Sequence, residues 1–268
     1  MMKGKIHLPV SWEEVGSADI VFDMDGTLIE GDLGESVFYW CLLKACESDD
    51  YQGLAANPDE FNALPALIKG QAAKRLIEYR HLIESNQLEK AYALVAAWIE
   101  QMPAGIVLEV TRGFLELSRS PSAIEVRVDG SCDGEPIRLV YGGRLIGVMH
   151  ELLNKLHYAD ARCWIVSASP QRVCAAVADY LGVPEERVVG VQSKNGSVRI
   201  PWRNNKVRAL RECGVQEPLI AFGDSEGDCD MLRYASHGVV IGDDNPAMMA
   251  EAKREGWTVV RSLKSYKI

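Results

Sequence analysis

The sequence lacks several features that would assign it to common protein classes. No apolar run approaches the length of a membrane span, and no hydrophobic signal segment stands at the start, so we expect a cytoplasmic protein without a membrane partner. The seven cysteines are odd in number and include no Cys-x-x-Cys pair, which predicts reduced thiols and no disulfide framework. The five histidines are scattered, with no ligand-like pairing beside an acidic cluster, which argues against histidine metal ligands.

The sequence also has fewer basic residues than acidic ones. The 29 lysines and arginines are outnumbered by 38 aspartates and glutamates, giving a formal net charge of −9. This balance argues against nucleic acid or an anionic membrane as the main partner. It does not exclude an anionic substrate, because a few well-placed cations and a metal ion can reverse the field locally.

From residue 143 onward, strand and helix patterns alternate. We predict helices near 144–157, 170–181, 204–212, 228–235 and 246–254, and strands at 163–166, 188–191, 219–222, 238–241 and 258–260. Together with a strand at Ala18–Phe22, this alternation predicts an α/β fold, a Rossmann-like and largely parallel sheet covered by helices on both faces.

The block between the first strand and this alternation is mainly helical. Apolar spacing predicts helices near 35–47, 58–84, 87–101 and 104–119, followed by a hairpin of 124–128 and 137–141. We therefore predict a catalytic core of residues 1–29 and 143–268, with residues 30–142 inserted as a mainly helical cap domain.

Two acids follow the first strand, in Asp23-Met24-Asp25-Gly26-Thr27. Carboxylates this close repel each other, so a proton or a cation must compensate them. Asp23 sits where the strand stops and can act as a nucleophile, whereas Asp25 can serve as a general acid and base if the chain leaves strand geometry here. The Thr27 hydroxyl can hydrogen-bond a carboxylate and is assigned to substrate binding. The alternative is an acidic turn without chemistry.

A second acidic edge follows the predicted strand 219–222, in Gly223-Asp224-Ser225-Glu226-Gly227-Asp228. Asp224 can join Asp23 in binding a hard divalent ion, and oxygen ligands with retained waters suit Mg²⁺. Asp228 lies at the start of a predicted helix, where it can cap that helix or orient a neighbouring cation. We assign it a supporting role.

Ser167 ends another predicted core strand. Its hydroxyl and the next backbone N–H, that of Ala168, can bind a phosphoryl oxygen, although an ordinary strand-to-helix turn also uses serine. Ser169 precedes Pro170, and this pair is typical of a helix cap followed by a first-turn proline.

Lys206 begins the helix that precedes the Asp224 strand. An ammonium group there can offset the negative charge of a phosphoryl group in transfer. The rival is Lys194, whose polar, glycine-containing context predicts a solvated turn.

With these four segments in this order, the chain resembles the haloacid dehalogenase superfamily, and within it phosphatases similar to phosphoserine phosphatase. The resemblance covers residues 18–29 and roughly 143–245. It implies hydrolysis of a small organic phosphate monoester with Mg²⁺ as the cofactor. Haloalkanoic acid dehalogenases of the same superfamily lack the second acid and the metal, so Asp25 favours the phosphatase branch.

The resemblance also implies a role for each residue. Asp23 would form an aspartyl-phosphate, with Asp25 as the general acid and base and with Ser167 and Lys206 on the phosphoryl group. The predicted metal ligands are Asp23, the backbone carbonyl of Asp25, and Asp224, supported by Asp228. Two alternatives stay open: a phosphotransferase or phosphomutase using the same intermediate, and a non-catalytic binding module.

The substrate is less clearly indicated. The acidic stretch from Asp32 to Ser36, followed by Phe38-Tyr39-Trp40, is similar to phosphocholine phosphatases of the superfamily, which implies Glu35 and Trp40 as binding residues for a quaternary ammonium. The alternative is that Asp32 and Glu35 form a capping box and that the aromatic residues pack the cap.

A substrate similar to phosphoserine would instead need an arginine for its carboxylate group. Three arginines of the predicted cap are candidates: Arg75, Arg80 and Arg112.

Overall fold

The computed structural model describes residues 6–47, 67–129, 136–194, 197–242 and 244–261. The strands are β1 Asp19–Phe22, β2 Ile29–Glu30, β3 Leu67–Ile68, β4 Ser122–Val128, β5 Ile137–Tyr141, β6 Arg144–Leu145, β7 Arg162–Pro170, β8 Val188–Lys194, β9 Ser197–Arg199, β10 Ile220–Gly223, β11 His237–Ile241 and β12 Thr258–Val260. The helices are α1 Trp12–Val15, α2 Leu33–Glu47, α3 Gly70–Glu84, α4 Leu88–Gln101, α5 Ala104–Leu117, α6 Gly147–Tyr158, α7 Gln171–Leu181, α8 Asn204–Glu212, α9 Cys229–Tyr234 and α10 Pro246–Glu255.

The main sheet has seven strands in the order β12-β11-β10-β1-β7-β8-β9. All neighbours are parallel except the edge pair β8 and β9. The predicted α/β fold with a largely parallel sheet is therefore confirmed. Because β1 lies between β10 and β7, the three carboxyl ends of these strands share one edge of the sheet, and Phe22 is in register with both Phe222 and Ile165.

The interior of this sheet explains why its strands are continuous apolar runs. A parallel sheet covered on both faces exposes neither side of a central strand to water. Ile20, Val21 and Phe22 of β1 are fully buried, and the Phe22 ring stacks on the Phe222 ring at 4.7 Å. This burial fixes the positions of the strand ends and of the residues that follow them.

Between β1 and β7 the chain builds helices α2 to α5 and a small sheet in the order β3-β4-β5. The chain leaves and rejoins the main sheet through the antiparallel pair β2 and β6, in which Ile29 is opposite Leu145 and Glu30 opposite Arg144. Helix α4 contacts β7 and β8, and α5 contacts α7. The inserted elements thus pack directly on the sheet, beside the carboxyl end of β7.

Two predicted helices begin later than expected. Leu67 and Ile68 pair with Arg127 and Val128, so the prediction of one helix over 58–84 is wrong for this part, and α3 begins only at Gly70. Residues 58–66 lie outside the described residues. Likewise, Arg144 and Leu145 form β6 and not the first turn of a helix. In both places pairing with a distant strand overrides local helical spacing.

The predicted hairpin is confirmed, with β4 and β5 antiparallel and Ser122 opposite Tyr141. Its connection, 130–135, lies outside the described residues. In the described part of the chain no single helix is long and apolar enough to cross a bilayer. Helices α4 and α5 reach the required length and apolar composition only when they are counted together, and the pair is bent by 115° at the break between them.

Gly190→Ala should destabilise the protein. A Cβ at this position of β8 would lie 2.7 Å from the Gln171 Cα and 2.9 Å from the Ser169 carbonyl oxygen, and backbone atoms cannot move aside cheaply. We expect the free energy of unfolding to fall by about 2 kcal/mol. Chemical denaturation measures it.

Gly105→Ala is the matched control. Its added Cβ, in helix α5, meets no atom within 4 Å. This variant should be neutral or stabilised by up to about 1 kcal/mol, since alanine favours helix over glycine. Equal losses in both variants would contradict the packing argument.

Candidate active site

The carboxyl ends of β1, β7 and β10 open into one cavity of about 170 Å³. Residues from these three strand ends, from α8 and from the inserted helices form its wall: Asp23, Asp25, Asp32, Gly34, Glu35, Tyr79, Tyr92, Val95, Ser167, Ala168, Ser169, Pro170, Trp202, Lys206, Asp224, Ser225, Gly227 and Asp228. Thus the structure brings together the predicted catalytic and metal-binding residues with Ala168 and Glu35, but not Thr27 or Trp40.

The chain leaves strand geometry directly after Phe22, as separate roles for Asp23 and Asp25 require. The Met24 carbonyl oxygen accepts hydrogen bonds from the backbone N–H groups of Leu28 and Ile29, which closes a tight loop. Gly26 has φ +80°, and a Cβ there would overlap the Asp224 carboxylate. The loop consequently lets the two acids meet different partners.

Lys206 is the buried cation of the cavity, with only 2% of its surface exposed. Its Nζ donates to Asp23 Oδ1 at 2.5 Å and to Asp228 Oδ1 at 2.6 Å. Burial alone would lower the pKa of Lys206, but the charges of Asp228 and Asp23 outweigh burial and raise it. The lysine is therefore held as an ammonium between two carboxylates.

Asp228 uses both of its oxygens within the protein. Oδ1 accepts from Lys206, and Oδ2 accepts from the backbone N–H groups of Asp224 and Ser225 and from Ser225 Oγ at 3.0–3.2 Å. The same contacts form a capping box over the short 3₁₀ turn Glu226–Asp228. Asp228 thus caps the turn and orients the lysine at once.

Asp224 differs from Asp228 in having no such partners. Among the described residues, no hydrogen bond is donated to its carboxylate. Burial, together with the charges of Asp23 and Asp228, raises its pKa to about 9. Burial and Asp228 likewise raise the pKa of Asp23 to about 8, against the lowering effect of Lys206. The single ammonium of Lys206 therefore does not offset burial and mutual repulsion at these two groups.

This arrangement fits a divalent cation. One oxygen each of Asp23, Asp224 and Asp228 lie within 4.8 Å of one another. One ammonium lies among the four carboxyl groups at the strand ends, counting Asp25, so a hard cation bound by oxygen would supply the missing charge. Because both Asp228 oxygens are occupied by other contacts, Asp23 and Asp224 are better suited as direct ligands.

Asp25 is held from two directions. Its Oδ1 accepts from the backbone N–H of Leu33, the first residue of α2, at 2.8 Å, and its Oδ2 accepts from Ser169 Oγ at 2.6 Å. The assignment of Ser169 to helix capping is therefore wrong. Strand β7 continues through Pro170, which is the N-cap residue of α7 and has no side-chain cap, so the Ser169 hydroxyl is available to Asp25.

Ser167 and Ala168 lie on β7, in the wall of the same cavity. Ser167 is buried, and its Oγ accepts from the backbone N–H of Ser169 at 3.1 Å, which leaves its own O–H free to donate. The rival lysine, Lys194, is the last residue of β8 and is opposite Ser197 of β9.

The prediction for Thr27 is wrong in this structure. Its side chain is fully buried, its Oγ1 has no hydrogen-bond partner among the described residues, and it is absent from the cavity wall. The reason is the loop at Met24–Gly26, which turns the chain back so that Thr27 N donates to the Met24 carbonyl oxygen at 3.3 Å. Its side chain therefore enters the interior.

The wall opposite the strand ends comes from the inserted helices. Asp32 Oδ1 accepts from Glu35 N at 2.7 Å and so caps α2, but the Glu35 side chain does not complete a capping box. Instead Glu35 accepts a hydrogen bond from the Tyr79 hydroxyl, and it also interacts with the Tyr39 hydroxyl. Burial, the first cause, raises the pKa of Glu35 despite these two hydroxyl groups.

Trp40 is not at the cavity. It is fully buried in α2, with the Lys44 ammonium 5.8 Å from its ring centroid, so its predicted role in binding a headgroup is wrong. The aromatic residues of the wall are Tyr79 from α3, Tyr92 from α4, and Trp202 just before α8. No local signal marks these three, because each belongs to an ordinary amphipathic or turn context.

Comparison with known proteins agrees with the geometry of the site. The family model described as haloacid dehalogenase-like hydrolase matches residues 20–236. No relative among curated proteins matches the sequence.

Several solved structures share the fold at low sequence identity. A protein of unknown function from Bordetella pertussis is 18% identical, with a TM-score of 0.58 over 92% of this chain and 99% of that chain. A functionally unknown protein from Anaerococcus prevotii is 18% identical, with a TM-score of 0.57 over 91% and 85%. A probable phosphoserine phosphatase from Vibrio cholerae is 14% identical, with a TM-score of 0.53 over 92% and 61%. The family match spans most of the chain and includes all four segments that form the site, and the chain therefore belongs to the haloacid dehalogenase-like hydrolases.

Proposed function

We propose that this protein hydrolyses a small organic phosphate monoester through an aspartyl-phosphate intermediate, with Mg²⁺ as its cofactor. The observation that carries the proposal is the buried Lys206 ammonium, bonded to Asp23 and Asp228 in the cavity that also holds Asp25 and Asp224. A cation fixed beside a carboxylate suits transfer of a phosphoryl group, because the barrier depends on neutralising charge on the phosphoryl oxygens.

In the first step an Asp23 oxygen attacks phosphorus, and the bond from phosphorus to the leaving-group oxygen breaks. Lys206 and the hydroxyl of Ser167 contact the phosphoryl oxygens, and the backbone N–H of Ala168 donates to them as well. The hydrogen bond from Lys206 Nζ to Asp23 Oδ1 supports this role for the lysine.

Asp25 supplies the proton that the leaving alkoxide needs. Burial, followed by the charge of Asp32, raises its pKa to about 7, so it can hold a proton near neutral pH. In the second step Asp25 takes a proton from water as the water attacks the aspartyl-phosphate. Free phosphate leaves, and the Asp23 carboxylate is restored. Leu33 N and Ser169 Oγ keep this side chain in place through both steps.

Mg²⁺, when bound, would neutralise negative charge on the phosphoryl group and on the acids around it. Asp23, Asp224 and the backbone carbonyl of Asp25 would hold it. Asp228 would support the site by fixing Lys206 and the backbone N–H of Asp224.

We further propose that residues 30–142 form a cap domain that selects the substrate, and that residues 1–29 and 143–268 form the catalytic core. The support is the arrangement of the cavity, whose wall opposite the strand ends comes from α2, α3 and α4. Glu35 belongs to this wall. Release of free phosphate without an added acceptor would separate hydrolysis from phosphotransfer.

Metal removal should abolish the activity reversibly. EDTA should stop phosphate release from p-nitrophenyl phosphate, excess Mg²⁺ should restore it, and Ca²⁺ should restore much less because its looser coordination need not keep the nucleophile in line. Initial rates of phosphate release measure this. Full activity in EDTA would rule out the metal-dependent mechanism.

Asp23→Asn should abolish turnover of every phosphomonoester and leave the fold intact, because an amide is nearly isosteric with the carboxylate but is not nucleophilic. Asp179→Asn is the matched control, since Asp179 lies on the surface in an ion pair with Arg112. Circular dichroism checks folding and phosphate release checks turnover. Substantial activity in purified Asp23→Asn would disprove the covalent intermediate.

Ser169→Ala should slow substrates with poor leaving groups selectively. Without the Ser169 hydroxyl, Asp25 keeps only its bond to Leu33 N, and its proton is aimed less well. We expect kcat/KM on an alkyl phosphate, which reports the steps up to departure of the leaving group, to fall about 10-fold or more. The kcat/KM of p-nitrophenyl phosphate, whose leaving group departs without a proton, should change little.

Asp25→Asn should show the same selectivity with a larger loss. If Ser169→Ala slows both substrates equally while Asp25→Asn discriminates between them, Ser169 does not position the acid.

A further inference from the structure

Beside Asp25 the cavity wall is acidic, and among its described residues this part of the wall contains no lysine or arginine. Asp32 and Glu35, from the start of α2, lie in the same cavity as Asp25. Among the described residues that form the wall, Lys206 is the single lysine or arginine, and it is already bonded to Asp23 and Asp228. A leaving group that extends past Asp25 therefore meets two carboxyl groups and no positive charge.

The arginines that could bind a carboxylate group on a substrate are occupied elsewhere. Arg75 pairs with Glu78 at 2.8 Å, Arg80 pairs with Glu84 at 2.8 Å, and Arg112 pairs with Asp179 at 2.5 Å. All three are surface ion pairs outside the cavity wall.

The segment 48–66, whose structure is not described, contains neither lysine nor arginine in its sequence. Among the described residues beside Asp25, a carboxylate on the leaving group would face repulsion without compensation.

Aromatic rings complete this wall. Tyr79, Tyr92 and Trp202 line the cavity, but the Trp202 ring already has the Arg203 guanidinium 4.3 Å from its centroid, so Tyr79 and Tyr92 are the rings left for a ligand. The Tyr79 hydroxyl donates to Glu35 and so fixes the position of that carboxyl group. Aromatic faces beside carboxylates attract organic cations through the ring quadrupole as well as through charge.

We infer that the substrate of this site is a phosphate monoester whose leaving group carries an ammonium group and no carboxylate. The ammonium would bind Asp32 and Glu35 against the tyrosine rings, while the phosphate binds at Ser167 and Lys206. This inference rests on the proposed phosphatase function and specifies the substrate class for the same site.

Two matched pairs of substrates test the inference. Phosphocholine and 3,3-dimethylbutyl phosphate have nearly the same shape and differ by one positive charge. Phosphoethanolamine and phosphoserine differ by one carboxylate. We expect kcat/KM to favour phosphocholine over its uncharged analogue, and phosphoethanolamine over phosphoserine, each by about 10-fold or more, the discrimination typical of one buried charge contact.

Two variants test whether Asp32 and Glu35 cause this preference for an ammonium group. Asp32→Asn and Glu35→Gln should each lower the ratio of kcat/KM for phosphocholine over its uncharged analogue, towards one. Glu89→Gln is the matched control, because Glu89 is an exposed residue in the first turn of α4 and is not part of the cavity wall. It should keep the wild-type ratio.

p-Nitrophenyl phosphate separates failure of this inference from failure of the proposed function. Its leaving group has no ammonium, so it reports the phosphoryl chemistry alone. Without Mg²⁺-dependent phosphate release from any of the five substrates, the proposed function fails, and this inference fails with it. If p-nitrophenyl phosphate is hydrolysed but both ratios are near one or reversed, or if neither variant changes the first ratio, the inference alone is overturned.

Discussion

The structure of the site depends on one electrostatic constraint, the crowding of carboxylates at a single edge of the sheet with one buried ammonium among them. Asp23, Asp25, Asp224 and Asp228 line one small cavity, and Lys206 is bonded to the first and last of these. Asp23 and Asp228 are buried and Asp25 and Asp224 are half-buried, and burial and mutual repulsion raise the pKa values of Asp23 and Asp224 despite the one lysine. The site is therefore built to accept more positive charge.

The backbone gives each of these acids different neighbours. The parallel neighbours β7 and β10 place their ends beside β1, and the loop at Gly26 separates Asp23 from Asp25. Asp228 is satisfied by protein donors and so acts as a support, whereas Asp224 has none among the described residues. Chemically identical side chains thus acquire different roles from the donors that surround them.

The start of α2 connects the chemistry to the choice of substrate. Its first backbone N–H, from Leu33, holds Asp25, and Asp32 and Glu35 present carboxyl groups to the cavity within the same turn. In the proposed mechanism, a substrate that contacts this turn contacts the element that positions Asp25, the proposed proton donor. Recognition of the leaving group and its protonation would then be coupled through one short piece of backbone.

The sequence by itself determined the α/β class, the order of most strands and helices, and the three strand ends and one helix start that form the site. Such information is local: apolar periodicity reports burial, and acids or serines that end buried strands must share an edge in a parallel sheet. Only the tertiary structure decided that Ser169 serves Asp25, that Trp40 and Thr27 are interior, and which aromatic rings face the cavity. These contacts join positions far apart in the chain, such as Glu35 with Tyr79, and no local propensity encodes them because packing between distant elements selects the side chains that meet.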